Sequence, residues 1–89
     1  MITITFNAFS FLKTRMIEQD IPCGNKKIEI KKDITLHQLI ENLGLKKDEV
    51  EAVFVNHKVV PKDTIVKDGD RVSLVPPGGI PNHVKVYVG

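Results

Sequence analysis

Apolar and polar residues alternate along several short stretches of the chain. At the start, Ile2, Ile4 and Phe6 alternate with polar residues, which is the period of a β-strand with one buried face. In the stretch 71–75, Val72 and Leu74 are expected to face the core, and Ser73 and Val75 to face away from it. The predicted strands are 2–7, 26–32, 52–56, 71–75 and a short return strand at 59–60.

One stretch, residues 33–44, has the pattern of a helix. Thr35 and Gln38 have the spacing of a capping box, and Gly44 is a suitable residue to end the helix. Leucine and isoleucine recur at helical spacing between them and form a single apolar stripe. Residues 8–17 are mixed in character, and we expect the first strand to continue a little and then turn.

The order of these elements predicts the fold class. Strand, strand, helix, strand, short strand and strand are typical of an α+β protein with one mixed sheet and one helix packed across it. We expect one domain over residues 1–79. Residues 80–89, called the tail below, are expected to be an extension, either an extra C-terminal strand or a removable segment.

Composition and charge narrow the classes of function. A net charge of +2, with acidic residues near each lysine pair, predicts a solvated surface and no nucleic-acid partner. No apolar run approaches the roughly 20 residues of a membrane span, so we expect a cytoplasmic protein without a membrane partner. Cys23 is the only cysteine and is expected to be an unreactive loop thiol. The histidines have no metal-ligand spacing, and we expect no metal site.

Three short motifs occur in a specific order. They are Val55-Asn56 before a turn, Asp68-Gly69-Asp70 before the last strand, and Pro76-Pro77-Gly78-Gly79 after it. With the strand order, they make residues 1–79 resemble the β-grasp fold of ubiquitin-like sulfur carriers, the MoaD/ThiS family. The proline pair is more similar to the molybdopterin synthase branch of that family than to the thiamine branch.

The resemblance implies a function. In such carriers an adenylating enzyme of the ubiquitin-activating type uses ATP and magnesium to couple the terminal glycine carboxylate to AMP. Sulfur then replaces AMP, giving a thiocarboxylate. By this resemblance Gly79 is the acyl carrier and Gly78 its partner in a narrow arm, while Asp68, Gly69 and Asp70 shape a turn. The protein would be a carrier or the small subunit of a synthase, with no bound cofactor and no enzymatic activity alone. The acceptor stays open among molybdopterin or tungstopterin, thiamine and tRNA.

The chain departs from the family pattern in two ways. The family usually has two more residues between the prolines and the glycines, so the four residues 76–79 reach about 14 Å where six would reach about 20 Å. In addition, Gly79 is followed by Ile80, which makes the Gly79 carbonyl an amide that cannot be adenylated. The carrier hypothesis therefore requires a peptidase that removes the tail.

The tail supports other interpretations. His83 to Val88 alternates like a strand, with Val84, Val86 and Val88 on one side. The protein could then be a non-catalytic ubiquitin-like binding module in which Gly78-Gly79 is only a turn. Gly89 could also be the acyl group, although the preceding Tyr87 and Val88 are bulky for a narrow slot.

A partner surface is predicted beside the arm. Phe54, Val59 and Val75 should share the sheet face away from the helix, and Pro76 and Pro77 follow them. An apolar patch there would suit docking to an adenylating enzyme or to a large synthase subunit. The alternative is that residues 8–17 or a final strand cover this face.

Overall fold

The chain folds into one mixed β-sheet with two helices on one face. The computed structural model describes residues 1–77. Its elements are β1 (Ile2–Ala8), α1 (Phe11–Glu18), β2 (Lys26–Ile30), α2 (Leu36–Asn42), a 3₁₀ turn (Lys47–Glu49), β3 (Ala52–Val55), β4 (Lys58–Val59) and β5 (Arg71–Val75). The strand order is β2-β1-β5-β3-β4, with β1 and β5 parallel and the other pairs antiparallel. This architecture confirms the predicted β-grasp class, and the predicted boundary at residue 79 lies outside the described residues.

The core lies between the sheet and the helices. Strand register places Phe6 opposite Val72 and Val53 opposite Leu74, so these side chains share the inner face of the sheet. They are fully buried and form a single cluster with the buried apolar residues of both helices. The opposite surface of the sheet is called the outer face below. Neither helix in residues 1–77 is long and apolar enough to cross a membrane.

The helix α1 corrects the prediction for residues 8–17. Strand β1 ends at Ala8, and the chain then forms an α-helix from Phe11 to Glu18 rather than an extended strand and a turn. Leu12 and Met16, four residues apart, point into the core. Phe9, Phe11 and Ile17 stay exposed, and because these apolar residues surround the buried pair, the sequence shows no single stripe. The prediction of only one helix was therefore wrong.

The helix α2 has the predicted caps but is shorter than predicted. The Gln38 backbone N–H donates to Thr35 Oγ1 at 3.2 Å, and the Thr35 N–H donates to Gln38 Oε1 at 2.9 Å, which completes the capping box. At the other end, Gly44 has a φ of +77° and the Leu45 N–H donates to the Ile40 carbonyl at 3.1 Å. This is a Schellman ending, for which glycine is the favoured residue.

Replacing Ser10 by glycine should stabilise the protein. Ser10 has φ 57° and ψ −135°, and the Leu12 N–H donates to the Phe9 carbonyl at 3.2 Å. These values are those of the first central residue of a type II′ turn, a position that favours glycine. Glycine relieves the backbone strain at this position, which stabilises the folded state, but it also raises the entropy of the unfolded state. The net effect should be a free energy of unfolding higher by about 1 kcal/mol.

Urea denaturation of Ser10→Gly and of the matched Ser73→Gly variant would check this expectation. Ser73 lies inside β5, where glycine should lower the free energy of unfolding by about 0.5–1 kcal/mol. A loss of stability in Ser10→Gly equal to that in Ser73→Gly would contradict the turn assignment.

Candidate functional site: the root of the glycine arm

The arm, residues 76–79, follows directly after β5, which is the central strand of the sheet. The strand β5 is paired with β1 on one side and with β3 on the other. At its end, the Phe9 N–H donates to the Leu74 carbonyl at 3.2 Å, and the Glu51 N–H donates to the Val75 carbonyl at 2.8 Å. Because both neighbours bond to the last residues of β5, the arm starts from a fixed point.

The two prolines separate the arm from the sheet. Proline has no N–H to donate and a φ fixed near −65°, so the β5 ladder cannot continue through Pro76 and Pro77. Pro76 is buried and Pro77 is exposed, which places the exit of the chain from the protein body at Pro77. Gly78 and Gly79 lie outside the described residues, as do the predicted strand 83–88 and Gly89.

The structure corrects the predicted exposure of Val75. The side chain of Val75 was expected to face outward as part of an apolar patch, but only 6% of it is accessible. It lies at the end of the central strand, paired with Ala52 and flanked by Phe9 and Glu51. Since Pro76 is also buried, neither residue offers a surface to a partner in this structure, whereas Pro77 does.

The other two predicted patch residues do share one face. Register places Phe54 opposite both Val59 and Ser73, so all three belong to the outer face. Phe54 is partly exposed and Val59 is 63% exposed. Whether a partner binds them stays a prediction.

Phe9 is an exposed apolar residue of the outer face that was not predicted to belong to the partner surface. Its side chain is 44% exposed, and with Phe54, His57 and Ser73 it lines a shallow cavity of about 280 Å³. The alternation of β1 could have indicated it, because Ala8 faces the core and the next residue of a continuing strand faces outward. Phe9, Phe54 and Val59 are called the outer-face patch below.

The Asp68-Gly69-Asp70 turn lies at the other end of β5 and is built from hydrogen bonds. The Thr3 N–H donates to Asp68 Oδ1 and the Gly69 N–H donates to the Thr3 carbonyl, both at 2.8 Å. The Lys67 N–H donates to Asp70 Oδ2 at 2.9 Å. The two carboxylates thus accept backbone bonds that fix the entry into β5, which agrees with the structural role expected for them.

Asn56 links this turn to the β3–β4 hairpin. Asn56 and His57 have φ values of 53° and 71°, the left-handed pair of a type I′ hairpin turn. The Asn56 side chain donates from Nδ2 to Asp70 Oδ1 at 3.0 Å and accepts at Oδ1 from the Arg71 N–H at 3.0 Å. The sequence predicted a tight turn here but not this bridge between two turns.

Removal of the Asp70 carboxylate should destabilise the protein by about 1–2 kcal/mol, because two donors lose a charged acceptor at a partly exposed site. A double-mutant cycle with Asn56→Gly, which tolerates the left-handed turn, should give a coupling energy of about 0.5–1.5 kcal/mol with Asp70→Ala. Chemical denaturation would measure the cycle, with the exposed Glu29→Ala variant as a control. Additive effects of the two substitutions would contradict a direct bond.

Other candidate chemistry in residues 1–77 is limited. Cys23 is a free thiol, partly buried against the core. No three His, Cys, Asp or Glu side chains of the described residues lie close enough together to bind a metal ion. His37 and His57 lie on different elements, α2 and the hairpin turn. The arm and the outer-face patch are therefore the two candidate functional features.

Comparison with known proteins agrees with this geometry. A family model for ThiS proteins matches residues 14–79, well over half of the chain. A solved structure from Pyrococcus furiosus, described as subunit 1 of a molybdopterin converting factor, superposes with a TM-score of 0.64 and 22% identity. The match covers 85% of this chain and 98% of that one, and it shows a common fold. A search of curated proteins found no significant match. The extent of the family match, together with the β-grasp sheet, establishes that this chain belongs to the ThiS family of small ubiquitin-like sulfur carriers.

Proposed function

We propose that Gly79 carries sulfur as a thiocarboxylate after a peptidase has removed the tail. The observation that carries this proposal is the family match, which ends at Gly79 and not at the end of the chain. Gly79 is also the last residue of an arm that leaves a strand fixed on both sides. In this proposal the protein is a cosubstrate, and the catalysis belongs to its partners.

The chemistry takes three steps. Water first cleaves the Gly79–Ile80 amide, which leaves a carboxylate on Gly79 and an amine on Ile80. The carboxylate then attacks the α-phosphate of magnesium-bound ATP on the adenylating enzyme, forming an acyl adenylate and releasing pyrophosphate. Hydrosulfide finally attacks the acyl carbon, AMP leaves, and the proton of the hydrosulfide is lost, so that Gly79 ends as a thiocarboxylate.

The residues of this chain position the reacting group. Hydrogen bonds to Leu74 and Val75 fix the start of the arm, and the prolines restrict the direction in which it leaves. Gly78 and Gly79 have no Cβ and can enter a channel too narrow for other residues. From Pro76 to Gly79 the arm reaches at most about 14 Å, so the adenylating enzyme must bring its ATP within that distance of β5.

The outer-face patch is the proposed docking surface. Proteins of the MoaD/ThiS family interact with adenylating enzymes and with large synthase subunits. Phe9 is an exposed apolar side chain beside the end of β5, and Phe54 and the exposed Val59 lie on the next two strands of the outer face. Aromatic residues in such positions commonly supply much of the binding free energy at protein interfaces.

The proposed sulfur acceptor is a precursor of molybdopterin. Two observations support this choice over thiamine or tRNA. The similar Pyrococcus furiosus structure is described as a subunit of a molybdopterin converting factor. The Pro76-Pro77 pair also resembles the molybdopterin branch of the family.

Intact-mass measurement would test the proposed function. A chain ending at Gly79 and the 89-residue chain would each be incubated with the adenylating enzyme of the same organism, ATP, magnesium and sulfide. The shorter chain should gain the mass of one sulfur-for-oxygen exchange, and the longer chain should not change. No gain by either chain would contradict the carrier function. A large loss of stability on truncation would instead favour the binding module whose last strand completes the sheet.

A further inference from the structure

We propose that the edge strand β2 binds an extended acidic segment of a partner protein as an additional strand of the sheet. The segment would lie along the groove between β2 and α2 and place alternate apolar side chains in it. This inference goes beyond the proposed function and does not depend on it, because no residue of this edge belongs to the arm or to the outer-face patch.

The two edge strands of the described sheet, β2 and β4, differ in their capacity to pair with another chain. The strand β4 has only two residues, Lys58–Val59, which is too short to guide an added strand. The strand β2 has five residues and no proline, and within residues 1–77 its only neighbouring strand is β1. A row of backbone N–H and C=O groups along its other side is therefore available for a strand of a partner.

A cavity of about 510 Å³ lies beside this edge, between β2 and α2. Ile28 and Ile30 of β2 and Leu39 and Leu43 at the end of α2 supply apolar side chains to its lining. Register places Ile28 opposite the buried Ile4, so the isoleucines of β2 are on the inner face of the sheet. A strand added next to β2, about 4.8 Å away, would direct every second side chain into this cavity.

The charges along β2 favour an acidic segment. The stretch 26–32 carries a net charge of +3, and its charged side chains are all exposed: Lys26, Lys27, Glu29, Lys31 and Lys32. One lysine pair precedes the isoleucines and the other follows them. A segment with carboxylates at both ends would therefore meet lysines whichever way it ran, while a basic or neutral strand would gain no such attraction.

The same features disfavour other occupants of the edge. Antiparallel pairing of the stretch 26–32 with a second copy would place Lys27 opposite Lys31 and Glu29 opposite Glu29, and like charges in such positions are destabilising. The cavity lining contains no aromatic side chain on which the bases of a single-stranded nucleic acid could stack. The tail, residues 80–89, contains no aspartate or glutamate.

An NMR titration of the 89-residue chain with the acetylated peptide EEVTVTVEE would test the proposal. Amides of residues 28–31 and 39–43 should shift, and those of Phe54 and Val59 should not. The basic counterpart KKVTVTVKK should produce no shifts. Raising the salt concentration from about 0.05 M to about 0.5 M should weaken binding of the acidic peptide several-fold, because the charges are exposed.

Matched lysine variants would localise the attraction. K26E/K31E reverses one charge at each end of β2 and should weaken binding of the acidic peptide by about tenfold. K47E/K58E changes the net charge by the same amount at two exposed lysines away from β2 and should bind like the parent chain.

N-methylated peptides would separate backbone pairing from charge attraction. Alternate N–H groups of a strand point to the same side, so methylation of the valine nitrogens and methylation of the threonine nitrogens block opposite edges of the peptide. One methylated peptide should bind about tenfold or more weakly, and the other should keep the parent affinity.

Four outcomes would overturn the inference. They are an equal loss of affinity in the two lysine variants, parent affinity for both methylated peptides, β2 amides that shift on dilution of the chain alone and so report a second copy, and the same shifts caused by an oligouridylate. None of these measurements involves sulfur or the adenylating enzyme. A chain that binds the acidic peptide but never gains sulfur after truncation would contradict the proposed function alone.

Discussion

In a chain that ends at Gly79, the substitution Gly78→Val should lower the rate of adenylation by about a hundredfold or more. Valine adds a Cβ and two methyl groups where the arm must enter the adenylating enzyme, and it restricts the backbone as well. A displacement of about 1 Å at a reacting group costs about 10²-fold in rate. Gly78→Ala, which adds only the Cβ, should have an intermediate effect.

The rate of pyrophosphate release in the presence of the adenylating enzyme would measure this effect. Position 78 follows the last hydrogen bonds of β5, which end at the Val75 carbonyl, so both variants should unfold at the same urea concentration as the parent chain. Unchanged stability would attribute the loss to the arm and not to the fold. If Gly78→Val were adenylated at the parent rate, the arm would not occupy a narrow channel.

Local sequence patterns were sufficient to predict most of the fold. The strands β1 and β5 show period-two alternation, β3 is a short run of apolar residues, and α2 combines a capping box with a glycine ending. Each of these signals acts over fewer than ten residues, because it depends on strand pleating, helix periodicity or the N–H groups of a helix end. The predicted order of elements then left few arrangements other than a mixed sheet with the helix across it.

The helix α1 could not be predicted in the same way, because distant contacts position it. Arg15 forms an ion pair with Glu49 and also donates to the Gly44 carbonyl at 3.3 Å. The turn before α1 has Ser10 at a position that glycine usually occupies, so the sequence did not indicate that the chain reverses there. The pKa of Glu49 is lowered by its bond from the Lys46 N–H and by the nearby Arg15 guanidinium, in spite of some desolvation.

The two parts of the candidate site were predicted from different kinds of evidence, family resemblance for the arm and strand alternation for the outer-face patch. The glycine arm came from its resemblance to a family, since no periodicity marks Gly78 and Gly79 as functional. The outer-face patch came from strand alternation, which placed Phe54 and Val59 correctly. Alternation did not account for Val75, because burial at the end of a strand depends on the segments beside it, here Phe9 and Glu51.

The substitutions Phe6→Ala and Phe54→Ala both remove a phenylalanine from the sheet, but they should impair different properties. Phe6→Ala should mainly lower stability, and Phe54→Ala should mainly weaken docking. Phe6 is fully buried between β2 and β5 on the inner face, and its loss should cost about 3–5 kcal/mol. For a domain of this size, whose total stability is about 5–10 kcal/mol, that is a large fraction. Phe54 lies on the outer face and is partly exposed, so its loss should cost about 1 kcal/mol or less.

Docking should show the reverse order. In chains ending at Gly79, Phe54→Ala should weaken binding of the adenylating enzyme by about tenfold or more, as expected for an aromatic residue at an interface. The folded fraction of Phe6→Ala should bind with nearly the parent affinity, because its side chain is not on the surface. Urea denaturation and calorimetric titration of the same preparations would give both quantities. Equal affinities for Phe54→Ala and the parent chain would exclude Phe54 from the docking surface. A Phe6→Ala chain that unfolds at the parent's urea concentration would contradict the inner-face role of Phe6.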